Sequence, residues 1–139
     1  MDTYKKWVPV QGIEKELWVQ EVHDDKDGLR IRLNEDSATT KILCVAFEHY
    51  FLFRNIDESG RIRLWATSFF EDRKWQFCVA TSSKLIEWLH EESDGIYDKK
   101  DMIHYLIKTG TDVIDVITNQ IPEVNWINNS QTPPPKAVA

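Results

Sequence analysis

The chain is poor in the residues that most catalytic and cofactor motifs need. It has two cysteines and five glycines. Cys44 and Cys78 are not in C-x-x-C spacing, so they write neither a redox dithiol nor a zinc knuckle. Each sits in an apolar run, where a buried free thiol is expected. The glycines form no G-x-G-x-x-G and no P-loop, which excludes nucleotide binding by those routes. His23, His49, His90 and His104 build no H-E-x-x-H, and no cofactor or metal is expected. No apolar run approaches the roughly 18 residues of a membrane helix. Met1 to Trp7 is not followed by the apolar core of a signal peptide. The expectation is a cytoplasmic protein. Basic residues are also short, 17 against 23 acidic, for a formal charge of -6. A general nucleic-acid binder gains affinity by releasing counterions to a basic face, and an anionic membrane attracts basic segments. Neither partner is expected. A basic protein partner is compatible with the charge, because opposite potentials steer encounter.

Aromatic and β-branched residues, by contrast, are plentiful, with six tryptophans, six phenylalanines and four tyrosines. Residues 75–92 organise the rest. Trp75 to Ala80 alternates like a strand, and Thr81-Ser82-Ser83 offers hydroxyl N-caps. Leu85, Ile86, Trp88 and Leu89 then form an apolar stripe at helical spacing, with the Trp88 indole expected under the sheet. Gly95 suits the left-handed geometry that ends a helix. Upstream, Pro9 marks 1–16 as an arm. Leu17–Val22 and Leu29–Leu33 read as a hairpin about Asp27-Gly28, with Val19 and Val22 on opposite faces and Arg30 and Arg32 facing water. Ile42–Phe53 reads as a central strand with a kink near Glu48. Arg61–Trp65 reads as a further strand, and Phe69 and Phe70 precede a charged turn at Glu71–Lys74. Downstream, Met102–Thr109 and Val113–Thr118 read as strands, the second with a short helix as the alternative, and Ile121–Trp126 as a closing edge segment. The fold class expected is α+β, a mostly antiparallel β-sheet with one main amphipathic helix packed on a face. Residues 1–127 form one domain, and 128–139 a Pro-rich C-terminal tail.

Few groupings carry chemistry. Asp24, Asp25 and Asp27 beside His23 lack the terminal glutamate of a calcium loop and read as an acidic turn. His104 and His90 can be drawn as bases for Cys78 or Ser82, but no nucleophile-elbow motif accompanies them. Arg30, Arg32, Arg61 and Arg63 with Trp65 suggest the wet face of a sheet more than an RNA platform. Glu87 and Glu91 share a helix face as like charges, without the burial that would make one a general acid. No catalytic residue is assigned.

The charge is uneven. Residues 82–139 hold nine acidic and five basic side chains, against fourteen and twelve in 1–81. The dense part is Glu87, Glu91, Glu92, Asp94, Asp98 and Asp101, with Trp88 and Tyr97 falling within it, an acidic rim with aromatic anchors. The six carboxylates and Tyr97 are the expected partner-binding surface. Phe47, the run Arg54-Asn55-Ile56-Asp57-Glu58, Ser83 and Trp88, Gly95-Ile96-Tyr97-Asp98, His104-Tyr105 and Asp115-Val116 resemble a group of small bacterial cytoplasmic proteins found beside polymorphic-toxin genes, candidate immunity proteins. That resemblance implies a single-domain, non-catalytic protein that neutralises a toxin by binding it. The alternatives are a structural or homodimeric interaction protein and a small enzyme using His104 or His90.

Overall fold

The computed structural model describes residues 3–35, 41–65 and 75–128. Among these residues nine strands and two α-helices follow one another: β1 (Lys5–Lys6), β2 (Trp18–Asp25), β3 (Gly28–Asn34), β4 (Lys41–Phe47), β5 (Leu52–Asp57), α1 (Ile62–Trp65), β6 (Phe77–Ala80), α2 (Lys84–Glu92), β7 (Ile103–Lys108), β8 (Asp112–Thr118) and β9 (Glu123–Asn128). The fold is α+β, as expected, but its strands divide between two antiparallel sheets. One has the order β1-β6-β7-β8-β5 and the other β2-β3-β4-β9. The aromatic pair Phe69-Phe70, the charged turn at 71–74 and the tail from 129 lie outside the described residues.

The two sheets share the main core. Leu29, Ile31 and Leu33 of β3 and Leu43, Val45 and Phe47 of β4 meet Phe77, Tyr105, Ile107, Ile114 and Val116 of the five-stranded sheet. Each such side chain, fully buried, contributes roughly 1.5–3 kcal/mol relative to exposure. The opposite face of the five-stranded sheet is covered by the helices. Leu64 of α1 sits with Cys78, Leu106 and Val113. Ile86 and Leu89 of α2 sit with Met102 and Ile117. Period-two alternation in β7 and β8 therefore serves two apolar layers, which is why both strands read as almost continuously hydrophobic. The strand reading of Val113–Thr118 holds.

Several local expectations change. The kink near Glu48 is a change of sheet: β4 ends at Phe47 in one sheet and β5 begins at Leu52 in the other. A bulge between Val19 and Glu21 shifts the β2 register, so Val19 pairs with Leu33 and Val22 with Ile31, both inward residues. Strict alternation had placed the two valines on opposite faces. Arg30 and Arg32 do not face open water: Arg32 is 8% exposed and bonds Glu21, and Arg30 bonds Asp25 at 2.7 Å. Arg61–Trp65 is a turn and a short helix, because the Asp57 carboxylate accepts from the Ser59 amide and hydroxyl and ends β5 there. Leu64 then drops onto the sheet while Ile62 stays exposed. The turn into β3 needs Gly28, whose φ is +110° and where a Cβ would come within 2.4 Å of the Phe47 carbonyl oxygen.

Candidate partner-binding surface

The surface is carried by α2 and the loop after it, and its position is set at the helix N-terminus. Ser83 has extended backbone, and its hydroxyl accepts from the Ile86 amide at 3.1 Å. The same oxygen lies 2.8 Å from His104 Nδ1, and His104 Nε2 lies 2.6 Å from Asp115 Oδ1. An ionised Asp115 only accepts, so His104 Nε2 carries a proton and donates to it. Asp115 Oδ2 accepts from Arg54 Nε at 2.8 Å and from Arg61 Nη1 at 2.6 Å. Ser83, His104 and Asp115 are 2%, 1% and 0% exposed. The Tyr4 ring covers His104 edge-on. Burial alone raises the Asp115 pKa, but the His104 bond and the charges of His104, Arg61 and Arg54 outweigh it and hold the group down at about 2. This network fills the gap between the two apolar clusters under α1 and α2.

The network also fixes how α2 is rotated. Residues three apart share a helix face. With Ser83 pinned downward, Ile86 and Leu89 follow it into the core at 1% and 7% exposure. Leu85 is only partly buried, and Trp88 stands 51% exposed. The Trp88 indole is therefore not under the sheet, contrary to expectation. The helix after Ser83 and the strand before it are both present. Helical spacing alone fits an apolar face centred on Trp88 as well as one centred between Ile86 and Leu89. The buried partner of Ser83 decides between them.

At the other end the chain turns back on the helix. Asp94 and Gly95 both have positive φ, 53° and 78°, and the Gly95 amide donates to the His90 carbonyl at 2.9 Å. His90 Nδ1 donates to the Tyr97 carbonyl at 2.7 Å, and the Tyr97 amide to Ser93 Oγ at 3.2 Å. The Tyr97 ring stacks on Phe51, with centroids 4.7 Å apart. Lys99 reaches Glu87 at 3.0 Å, and Asp98 caps the short turn at Lys99–Asp101 by accepting from the Lys100 amide. Glu87, Glu91, Glu92, Asp94, Tyr97, Asp98 and Asp101 all lie exposed on this helix and loop. Among the described residues Glu91, Glu92, Asp94 and Asp101 enter no ion pair, while Glu87 and Asp98 are partly neutralised by Lys99 and Lys100. Ile96, which sequence reasoning passed over, is 81% exposed in the middle of the loop. A cavity of about 440 Å³ opens beside it, lined by Phe51, Tyr97, Asp98, Lys100, Asp101 and Ile103 among others.

The histidine expectations separate. His104 meets Ser83, not Ser82, and His90 serves the loop. Burial pushes the Cys78 thiol up to about 12, far from a thiolate nucleophile. Ser83, His104 and Asp115 have the residue types of an acyl-transfer relay, but their hydrogen bonds are spent on the helix cap and two arginines. Neither cavity flanking α2 is lined by any of the three. Among the described residues no group of three His, Cys, Asp or Glu side chains is placed to hold a metal ion. No family model, curated protein or solved structure matches the chain.

Proposed function

We propose that the protein is a non-catalytic binding domain whose acidic surface at the C-terminal end of α2 takes a basic protein partner, and that this partner is a bacterial toxin domain that it neutralises. The observation that carries the reading is the exposed loop 94–101: Ile96 at 81% and Tyr97 at 37% exposure sit among carboxylates, on a loop held by hydrogen bonds to the helix. Aromatic anchors inside a charged rim are the usual energetic centre of an interface. Carboxylates aimed at lysine and arginine give orientation and speed of encounter. A rigid loop also loses little freedom on binding. The immunity role itself draws on the resemblance in the runs around Arg54–Glu58 and Gly95–Asp98.

Pairwise co-expression with the products of adjoining genes tests this. One product should arrest growth alone, be rescued by this chain and co-purify with it. Rescue and co-purification failing for every adjoining product would reject the toxin reading.

A further inference from the structure

We infer that the outer face of the four-stranded sheet binds a small aliphatic amine, in a cavity of about 370 Å³ between β3, β4 and β9. The cavity follows from the pattern of β4. Leu43, Val45 and Phe47 fill the main core, so Cys44 and Ala46 between them face outward. Ladder pairing sets Ala46 between Arg30 of β3 and Glu123 of β9, and Cys44 between Arg32 and Asn125. Two small side chains on the middle strand, with long ones on either side, leave a trough. Ile127 lines it beyond Cys44, and Asp27 lines it at the turn into β3. Its volume lies at the small end of ligand sites, which run from roughly 300 to 1,000 Å³.

Floor and walls differ in kind. Cys44, Ala46 and Ile127 make an apolar floor. Burial pushes the Cys44 thiol up, so its sulfur stays protonated and uncharged at neutral pH. Cys44 is 7% exposed and, among the described residues, makes no hydrogen bond through its sulfur. The walls carry charge. Arg30 is neutralised by Asp25, 2.7 Å away. Asp27 and Glu123 line the cavity, and among the described residues their carboxylates enter no ion pair and accept no hydrogen bond. Glu48 adds a third carboxylate at the turn end. The surplus charge of the cavity is therefore negative, above a floor that favours carbon.

Those two properties select the ligand. A short carbon chain covers the floor, and a cation meets the carboxylates. Among the described residues the one aromatic ring at the cavity is Phe47, 2% exposed, so there is no cage of ring faces to take a quaternary ammonium. A primary ammonium is recognised differently, by the three hydrogen bonds it donates. Asp27 and Glu123 are acceptors for them, and the side-chain amides of Gln120 and Asn125, which also line the cavity, add carbonyl oxygens. A free amine and the end of a lysine side chain present this same chemistry. The cavity is separate from α2 and the loop after it, and the inference does not rest on the toxin reading.

Titration of the full isotope-labelled chain at neutral pH and low salt, followed by amide NMR, is the test. n-Pentylamine should shift the amides of Ala46, Asn125 and Ile127 saturably, with a Kd of about 1 mM or tighter. n-Pentanol, which has no charge, and tetramethylammonium, which cannot donate, should each bind at least about tenfold more weakly. Nα-acetyl-lysine amide separates the sources: binding as tight as that of pentylamine assigns the site to a protein lysine, and weaker binding assigns it to a free amine. Glu123→Gln should weaken pentylamine at least about tenfold. Glu16→Gln, an equal loss of charge at an exposed position elsewhere, should not. Ala46→Leu fills the floor and should abolish binding, with circular dichroism as the control for folding. If Ala46→Leu does not fold, Glu123→Gln decides. Shifts that never saturate, that appear equally at Glu91 and Glu92, or that persist unchanged in Glu123→Gln would overturn the inference.

Discussion

Asp115 is the residue on which most of the outer layer depends. It is fully buried and accepts from His104, Arg54 and Arg61 at once. Asp115→Ala leaves two guanidinium groups facing a hole, and breaking a buried pair in this way costs about 3–5 kcal/mol. Urea unfolding should show that loss as a lower midpoint. The same carboxyl sets an acid limb. Its pKa is about 2 in the folded chain against 3.8 ordinarily, so its contribution is full above 3.8 and is lost as pH falls toward 2. A shift of this size corresponds to about 2 kcal/mol. Stability measured down that pH range should fall more steeply in wild type than in Asp115→Asn, which has no charge to lose. None of this network was legible as such. His104 is a hydrogen-bonded strand residue whose partners come from 21 residues before and 11 residues after, and no local pattern reports them.

At the scale of elements, α2 shows where pattern reading works and where it stops. Its limits follow from the Ser83 cap and the Ser93-Asp94-Gly95 stop, and both were legible because capping is local chemistry. Its rotation was not, since four apolar residues within five positions fit more than one buried face. Ser83→Ala removes the cap acceptor and the His104 partner together. Loss of about 1–2 kcal/mol is expected, at the upper part of the range for caps. Thermal unfolding would check it, with Ser82→Ala as the neutral comparison. The strand-to-helix change at 61–65 has the same lesson: Ile62 and Leu64 alternate correctly for a strand, but the Asp57 cap and the pull of Asp115 on Arg61 bend the chain first. On the loop, Tyr97→Ala should weaken partner binding by about 2 kcal/mol or more if Tyr97 is an anchor. The folded state should lose less, since the ring makes one stack at the surface.

For the whole molecule, alternation and turn chemistry led to an antiparallel α+β fold. The division into two sheets stayed hidden, because a fully apolar strand looks alike whether a helix or a second sheet covers it. The acidic rim was legible from spacing, since its seven residues fall within fifteen consecutive positions. Its shape was not, because Ile96 and the hold of His90 on the loop depend on the path after Gly95. What distinguishes this surface is concentrated charge on a braced loop, so the binding we propose for it should respond to charge. The most direct measurement is the dissociation constant of the complex as salt is raised, for wild type and for the combined Glu91→Lys, Glu92→Lys and Asp98→Lys variant. Wild-type affinity should drop steeply with salt, as exposed opposite charges are screened beyond about 8–10 Å. The reversed variant should bind at least about a hundredfold more weakly, through repulsion as well as lost attraction. Equal affinity for the two chains, with no response to salt, would contradict an acidic binding surface at the end of α2.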